Sequence, residues 1–222
     1  MSVVDNFIAP QCHQKIEYLF QDEHLLVINK PSGLLSLSGK NPLNKDSVHF
    51  RLAEKYSGIT LVHRLDFGTS GVMVLAKHKT ANAILTKQFQ DKSIDKQYIS
   101  ILDGHLLNDK GQIELPIAKD PGNFPRLKIC NQTGKVATTH YQVIERLNHP
   151  ERTRVLFTPL TGRTHQLRIH SQGIGHPILG CDLYGSTKTR SLAPRLLLHA
   201  SQICFNHPTS HQRITLASPS PF

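Results

Sequence analysis

Val62-His63-Arg64-Leu65-Asp66-Phe67-Gly68-Thr69-Ser70-Gly71 lies between two apolar runs, Ile59-Thr60-Leu61-Val62 and Val72-Met73-Val74-Leu75-Ala76. Apolar, β-branched runs on either side of a break rich in glycine and small polar residues read as strand, turn, strand. Asp66 is therefore expected on a loop held by two rigid elements, where catalytic groups tend to be carried. Taken alone, the segment also fits a structural aspartate that pairs with Arg64 or caps a turn. Thr69, Ser70 and Gly71 read as architectural, allowing a tight turn and close packing beside Asp66.

Upstream of this segment, Ile16 to Phe20 and Leu25 to Asn29 read as short strands, and Lys30-Pro31-Ser32-Gly33 breaks the second. Ser47 to Tyr56 reads as a helix ending before Gly58. Downstream, Thr80 to Gln90 carries Ala81, Ile84, Leu85 and Phe89 at helical spacing, with Thr80 as N-cap. Strands are expected over Tyr98 to Leu102 and over Ile113 to Ile117, the latter near a sheet edge because of Pro116. Asp120 to Lys128 is a proline-rich basic excursion. Further strands are expected over Lys135 to Leu147, Arg154 to Pro159 and Arg213 to Ala217, with an apolar run over Arg195 to Phe205. Thr161 to Gln172 reads as a helix with Thr161 as N-cap and Gly173 just beyond its end. Strands outnumber helices and few β-α-β crossovers are visible. The expected fold is α+β, with a central mixed, mostly antiparallel sheet flanked by helices and loops.

The chain has 222 residues, with 26 Lys plus Arg against 16 Asp plus Glu and a net charge of +10. No linker composition, repeat or low-complexity tract divides it, so one domain over 1–222 is expected. The excess of positive charge points to a polyanionic partner, nucleic acid before membrane. Met1 to Pro10 has no basic stretch followed by an apolar core and does not read as a secretory leader. No apolar run approaches the ~20 residues that span a bilayer. Cys12, Cys130, Cys181 and Cys204 are widely spaced and form no CxxC pair, so neither disulfides nor a zinc site are expected. His165 and His170 fall on different faces of the expected helix, and no paired-histidine metal motif occurs. The chain reads as cytoplasmic, metal-free and, lacking heptads, monomeric.

Four stretches stand together in the sequence. They are His63-Arg64-Leu65-Asp66 with Thr69-Ser70-Gly71; Asp95-Lys96-Gln97-Tyr98; Gly162-Arg163-Thr164-His165-Gln166-Leu167-Arg168-Ile169-His170 followed by Gly175-His176-Pro177-Ile178-Leu179-Gly180; and Pro194-Arg195-Leu196-Leu197-Leu198-His199-Ala200. In this order they resemble the RluA-type family of RNA pseudouridine synthases, from about Glu17 to Ala217. The first and third stretches are specific to that pattern; the lysine–tyrosine pair alone would be weak. The length, with no S4-like RNA-binding domain ahead of the catalytic part, resembles the dual-specificity branch acting on 23S ribosomal RNA and transfer RNA. The resemblance implies the pseudouridine synthase fold in a single catalytic domain.

It also implies an isomerase that breaks the C1′–N1 bond of a uridine, turns the base and rejoins it through C5. No group is transferred and no net redox change occurs, so no cofactor is implied. Asp66 would be the essential carboxylate, attacking C1′ or C6 or removing a sugar proton; the sequence leaves these routes open. Arg168 matches the family's basic partner of the aspartate, and a guanidinium holds a carboxylate with paired hydrogen bonds. Tyr98 matches the active-site tyrosine, whose ring can stack on an extruded uracil and whose hydroxyl can assist proton transfer from C5. Arg64 is a candidate to fill the vacated stack or hold a flanking phosphate. Arg163, His165 and Gln166, in the first turns of the expected helix, are candidates for the RNA backbone because amides there favour phosphates. Lys119, Arg126 and Lys128 make the basic excursion a candidate RNA finger.

The rival functions are a related synthase for a different transfer-RNA uridine and, from another class, a non-catalytic RNA-binding protein or RNA chaperone on the same fold. A serine hydrolase built on Ser70 lacks the GxSxG elbow that would support it.

Overall fold

The computed structural model describes residues 7–222; of the Met1–Pro10 stretch read for a leader, residues 1–6 lie outside the described ones. In chain order the elements are β1 (Glu17–Gln21), β2 (Leu25–Lys30), α1 (Val48–Ala53), β3 (Thr60–Leu61), β4 (Ser70–Ala76), α2 (Lys79–Gln90), β5 (Asp95–Asp103), β6 (Lys110–Glu114), β7 (Ile117–Lys119), β8 (Leu127–Ile129), β9 (Thr138–Leu147), β10 (Arg152–Pro159), α3 (Gln166–Gly173), α4 (Thr187–Ser191), β11 (Leu198–Asn206) and β12 (Arg213–Ala217). The fold is α+β, rich in antiparallel strands and sparing in helix. The chain gathers into two compact units, one of residues up to Lys96 with Ala200–Pro221, the other of Gln97–His199 with Phe222.

In the first unit β2 pairs with β1 and β4, β3 adds to β4, and β11 pairs with β12, all antiparallel. β2 and β4 are buried along almost their whole length, which is why both read as continuous apolar runs rather than alternating ones. Their register places Leu25 opposite Ala76 and Lys30 opposite Gly71. Helix α2 lays Ala81 and Leu85 on a core of Leu25, Val27, Val72, Val74, Ile203 and Phe205. Its cap is His78, not Thr80: His78 is extended (φ −153°) and its Nδ1 accepts the amide of Ala81. Thr80 thus falls inside the first turn, because an imidazole nitrogen does the capping work expected of the hydroxyl. Helix α1 starts as expected, with the Ser47 side chain accepting from the Phe50 amide.

In the second unit the order β5-β10-β9-β6 is antiparallel, with Tyr98 of β5 opposite Phe157 of β10. The strand expected over Ile113 to Ile117 is split. β6 ends at Glu114, and β7 joins β8 in a separate two-stranded hairpin. Pro116 has no amide to continue the ladder, so it sits at the break. The basic excursion supplies this hairpin's turn and its second strand.

Helix α3 begins five residues later than Thr161. The Thr161 hydroxyl accepts the amide of Thr138 (2.9 Å) and donates to Oε1 of Gln166 (2.7 Å), so it ties the segment to β9 instead of capping a helix. His165 then takes a left-handed conformation (φ 56°), which no helix interior tolerates. Gly173 is the helix's last residue rather than the one beyond it; a side chain there would strike Ile129 and Leu115.

Gly71 has φ 115°, and a Cβ on it would fall on the backbone of Ala200. Gly71→Ala is expected to lower stability by at least ~2 kcal/mol, from backbone strain plus overpacking, as measured by urea denaturation.

Candidate active site

Asp66 lies where the sequence places it, on the loop from β3 to β4. That loop is strapped to the turn after β2 at the carbonyls of Leu65, Phe67 and Gly68. Ser36 Oγ donates to Leu65 O (2.7 Å) and accepts Leu65 N–H (3.1 Å). The Phe67 carbonyl accepts the Gly33 amide (2.9 Å) and Nζ of Lys30 (3.3 Å). Ser32 Oγ donates to Gly68 O (2.7 Å), and the Thr69 amide closes a turn on Asp66 O (3.1 Å). Lys30 is fully buried and its ammonium also donates to Pro31 O (2.9 Å) and Leu34 O (2.7 Å).

His63 fixes the other end of the loop. Its Nε2 accepts the Val74 amide (3.0 Å) and its ring stacks on Phe89 (4.7 Å between centroids). Burial, and then the nearby Lys96 ammonium, push its pKa down to about 3, so the ring stays a neutral acceptor. Lys96 itself sits 6.0 Å over the Phe89 ring, and burial lowers its pKa. Arg64, between these anchors, is exposed.

In the second unit Arg168 is buried on α3. It pairs with Asp182, its Nε reaches Cys181 Sγ (3.4 Å), and its guanidinium lies 5.3 Å over the Tyr184 ring. The helix that carries it is fixed by a chain of polar bonds. Gln166 Nε2 donates to Thr138 O and Thr139 Oγ1 (both 3.0 Å), and its Oε1 accepts the Arg163 amide (3.0 Å) as well as the Thr161 hydroxyl. His170 bridges Thr139 Oγ1 and Leu115 O (both 3.0 Å). Burial holds the His170 pKa below the usual imidazole value, against the Leu115 bond, which favours the proton. Tyr98 is half-buried, its ring packed against the core that contains Phe157 and Leu198.

The RNA-contact candidates divide. Arg163 and His165 precede α3, which corrects their expected placement in the helix's first turns, whereas Gln166 is its first residue. Gln166 is buried with its amide spent on internal bonds, which puts it to positioning work rather than contact with RNA. Arg163 is exposed, its Nε donating to Val136 O (3.0 Å). Arg126 and Lys128 are exposed on the hairpin, Lys128 at 3.7 Å from Asp120, an exposed pair of little energetic weight. Lys30, Ser32, Ser36, Asp182 and Tyr184 were not singled out by sequence reasoning. Pro31 and Gly33 signalled only a turn, and the 180–185 stretch shows no periodicity.

Residues 24–172 match the family described as RNA pseudouridylate synthase. The chain belongs to that family. Its reaction class is therefore isomerisation of uridine in RNA. The "Dual-specificity RNA pseudouridine synthase RluA" of Haemophilus ducreyi is 45% identical over 96% of this chain and 97% of its own. The protein of that name from Escherichia coli K12 is 42% identical, covering 99% of both. Among solved structures, "Human RNA Pseudouridylate Synthase Domain Containing 1" superposes with a TM-score of 0.79 at 28% identity, over 96% of this chain and 86% of that one. The human domain-containing protein 4 of that series gives a TM-score of 0.72 at 27% identity, over 92% and 88%.

His63 and His170 are held neutral in the fold, whereas unfolded imidazoles take up a proton near pH ~6.5. The unfolded chain thus binds protons first, and stability is full above that pH and lost as pH falls toward about 3, where His63 titrates in the fold. Urea midpoints measured between these limits are expected to fall with acidity. His63→Gln, which keeps an acceptor for Val74 N–H, is expected to flatten part of that slope.

Proposed function

We propose that the chain isomerises uridines in structured RNA with Asp66 as the essential carboxylate, Arg168 as the group that stabilises charge, and Tyr98 as the residue that meets the uracil. The observation that carries this reading is the Asp66 loop: carbonyls on both sides of the residue are pinned by Lys30, Ser32 and Ser36. A loop backbone pinned on both sides of Asp66 is suited to a reaction in which the carboxylate must meet one sugar or base atom in one orientation. The reaction cleaves C1′–N1, joins C1′ to C5, releases the C5 proton and leaves N1 carrying a proton in its place. Atoms and electrons balance within the uridine, so no cofactor is required.

The proposed substrates are 23S ribosomal RNA and transfer RNA, a reading supported by relatives whose names carry "dual-specificity". Arg64, Arg163, His165, Arg126 and Lys128 are the proposed contacts to RNA, in keeping with the net charge of +10. Among the described residues no helix is long and apolar enough to cross a membrane. We take the protein to act as a monomer in the cytoplasm, where these RNAs reside.

Incubation with RNA tritiated at uracil C5 tests the chemistry, because joining C5 to the sugar expels the label. Release by the native protein and none by Asp66→Ala is expected. No release from unmodified ribosomal and transfer RNA would remove the isomerase reading on these substrates and favour an RNA-binding protein.

The RNA contacts have their own test. Binding is expected to weaken steeply with salt, and Arg126→Ala and Lys128→Ala are each expected to reduce the slope of log K against log salt by about 1.

A further inference from the structure

We propose that Tyr184 is a positioning residue that couples the basic β7–β8 hairpin to the Arg168 guanidinium, so that seating RNA on the hairpin sets the arginine. The inference rests on the role given to Arg168 under the proposed function. Tyr184 lies in an irregular stretch between α3 and α4, with no periodic pattern to explain an aromatic there.

Its contacts reach three elements. The phenol oxygen accepts the amide of Leu127, the first residue of β8, at 3.0 Å. A phenol that accepts one hydrogen bond still has its own proton to give, and Nδ1 of His165 lies 2.8 Å away. His165 is the left-handed residue at which α3 begins. The face of the ring lies 5.3 Å from the Arg168 guanidinium carbon, within cation–π range. The ring also packs against a small core of Ile117, Ala137 and Ile169, to which Leu127 and Ile129 of the hairpin contribute.

The consequence is mechanical. Arg126 and Lys128 flank Leu127, the residue whose amide Tyr184 holds. A hairpin displaced or ordered by phosphate contacts at those side chains must move or fix the Tyr184 hydroxyl. The same rigid ring bears on Arg168 and on the start of its helix. Asp182, two residues before Tyr184, also pairs with the guanidinium, so these two contacts of the arginine come from one stretch of chain.

The test is a double-mutant cycle with structured RNA tritiated at uracil C5, read as RNA affinity and as single-turnover rate at saturating protein. Tyr184→Phe keeps the ring over Arg168 and removes both hydrogen bonds. It is expected to lower the rate of bound RNA about fivefold, the worth of one hydrogen bond, with affinity changed by less than about twofold. Lys128→Ala in the native background is expected to lower both affinity and rate. In the Tyr184→Phe background it is expected to lower affinity alone, because the link to Arg168 is already cut. Rate effects that simply multiply would overturn the proposal, as would a Tyr184→Phe variant with the native rate. A merely structural tyrosine would lower the melting temperature and leave the effects multiplicative. Arg168→Lys, measured in the same series, separates the two levels. If it is slow while Tyr184→Phe is not, the coupling alone fails. If Arg168→Lys turns over at the native rate, the role given to Arg168 fails, and the coupling with it.

Discussion

A buried ammonium holds the Asp66 loop in place. Lys30 ends β2 opposite Gly71, and its Nζ donates to the carbonyls of Pro31, Leu34 and Phe67. Removing a lysine from water is costly unless its charge and protons are satisfied, and charge-assisted bonds to carbonyls offset that cost. The result is a knot joining the turn after β2 to the residue that follows Asp66. Ser32 and Ser36 extend it to Gly68 and Leu65. On the far side His63 binds the β4 backbone, and burial keeps it in the neutral form that can accept. The backbone around Asp66 is thus fixed from both sides, and for the catalytic role proposed for Asp66 such an arrangement would leave little reorganisation for the chemical step.

The second unit solves the same problem with neutral groups. Thr161, Gln166, Thr139 and His170 form one chain of hydrogen bonds ending on Leu115 O, and this chain seats α3 against β9. A polar network in a core is stable only when every member is satisfied. Here the amide of Gln166 uses both its oxygen and its nitrogen internally. The motif from Gly162 to His170 therefore divides by role. Its buried polar members build the helix seat, and Arg168 is the member that the seat presents.

What the sequence made legible follows from how local each signal is. The Asp66 loop stood out because apolar runs flank it, and α2 because its apolar spacing is helical and survives in the packing of Ala81 and Leu85. The start of α3 did not, because Thr161 is a good cap by type. Its hydroxyl is claimed instead by Thr138, far away in sequence and adjacent only in the fold. Lys30-Pro31-Ser32-Gly33 read as a chain break. Proline and glycine announce a turn locally, whereas the burial of Lys30 depends on a loop brought in from residue 67. Tyr184 was hidden for the same reason, since its meaning lies in Leu127, His165 and Arg168.

The most direct test of the claim that the Lys30 knot places Asp66 is the single-turnover rate of Lys30→Met on C5-tritiated RNA, measured beside RNA affinity. Methionine keeps the apolar stem and removes the three donated bonds. The expected result is a rate lower by roughly 100-fold, the cost of a misplacement of about 1 Å, with affinity close to native. A variant that turns over at the native rate would contradict it.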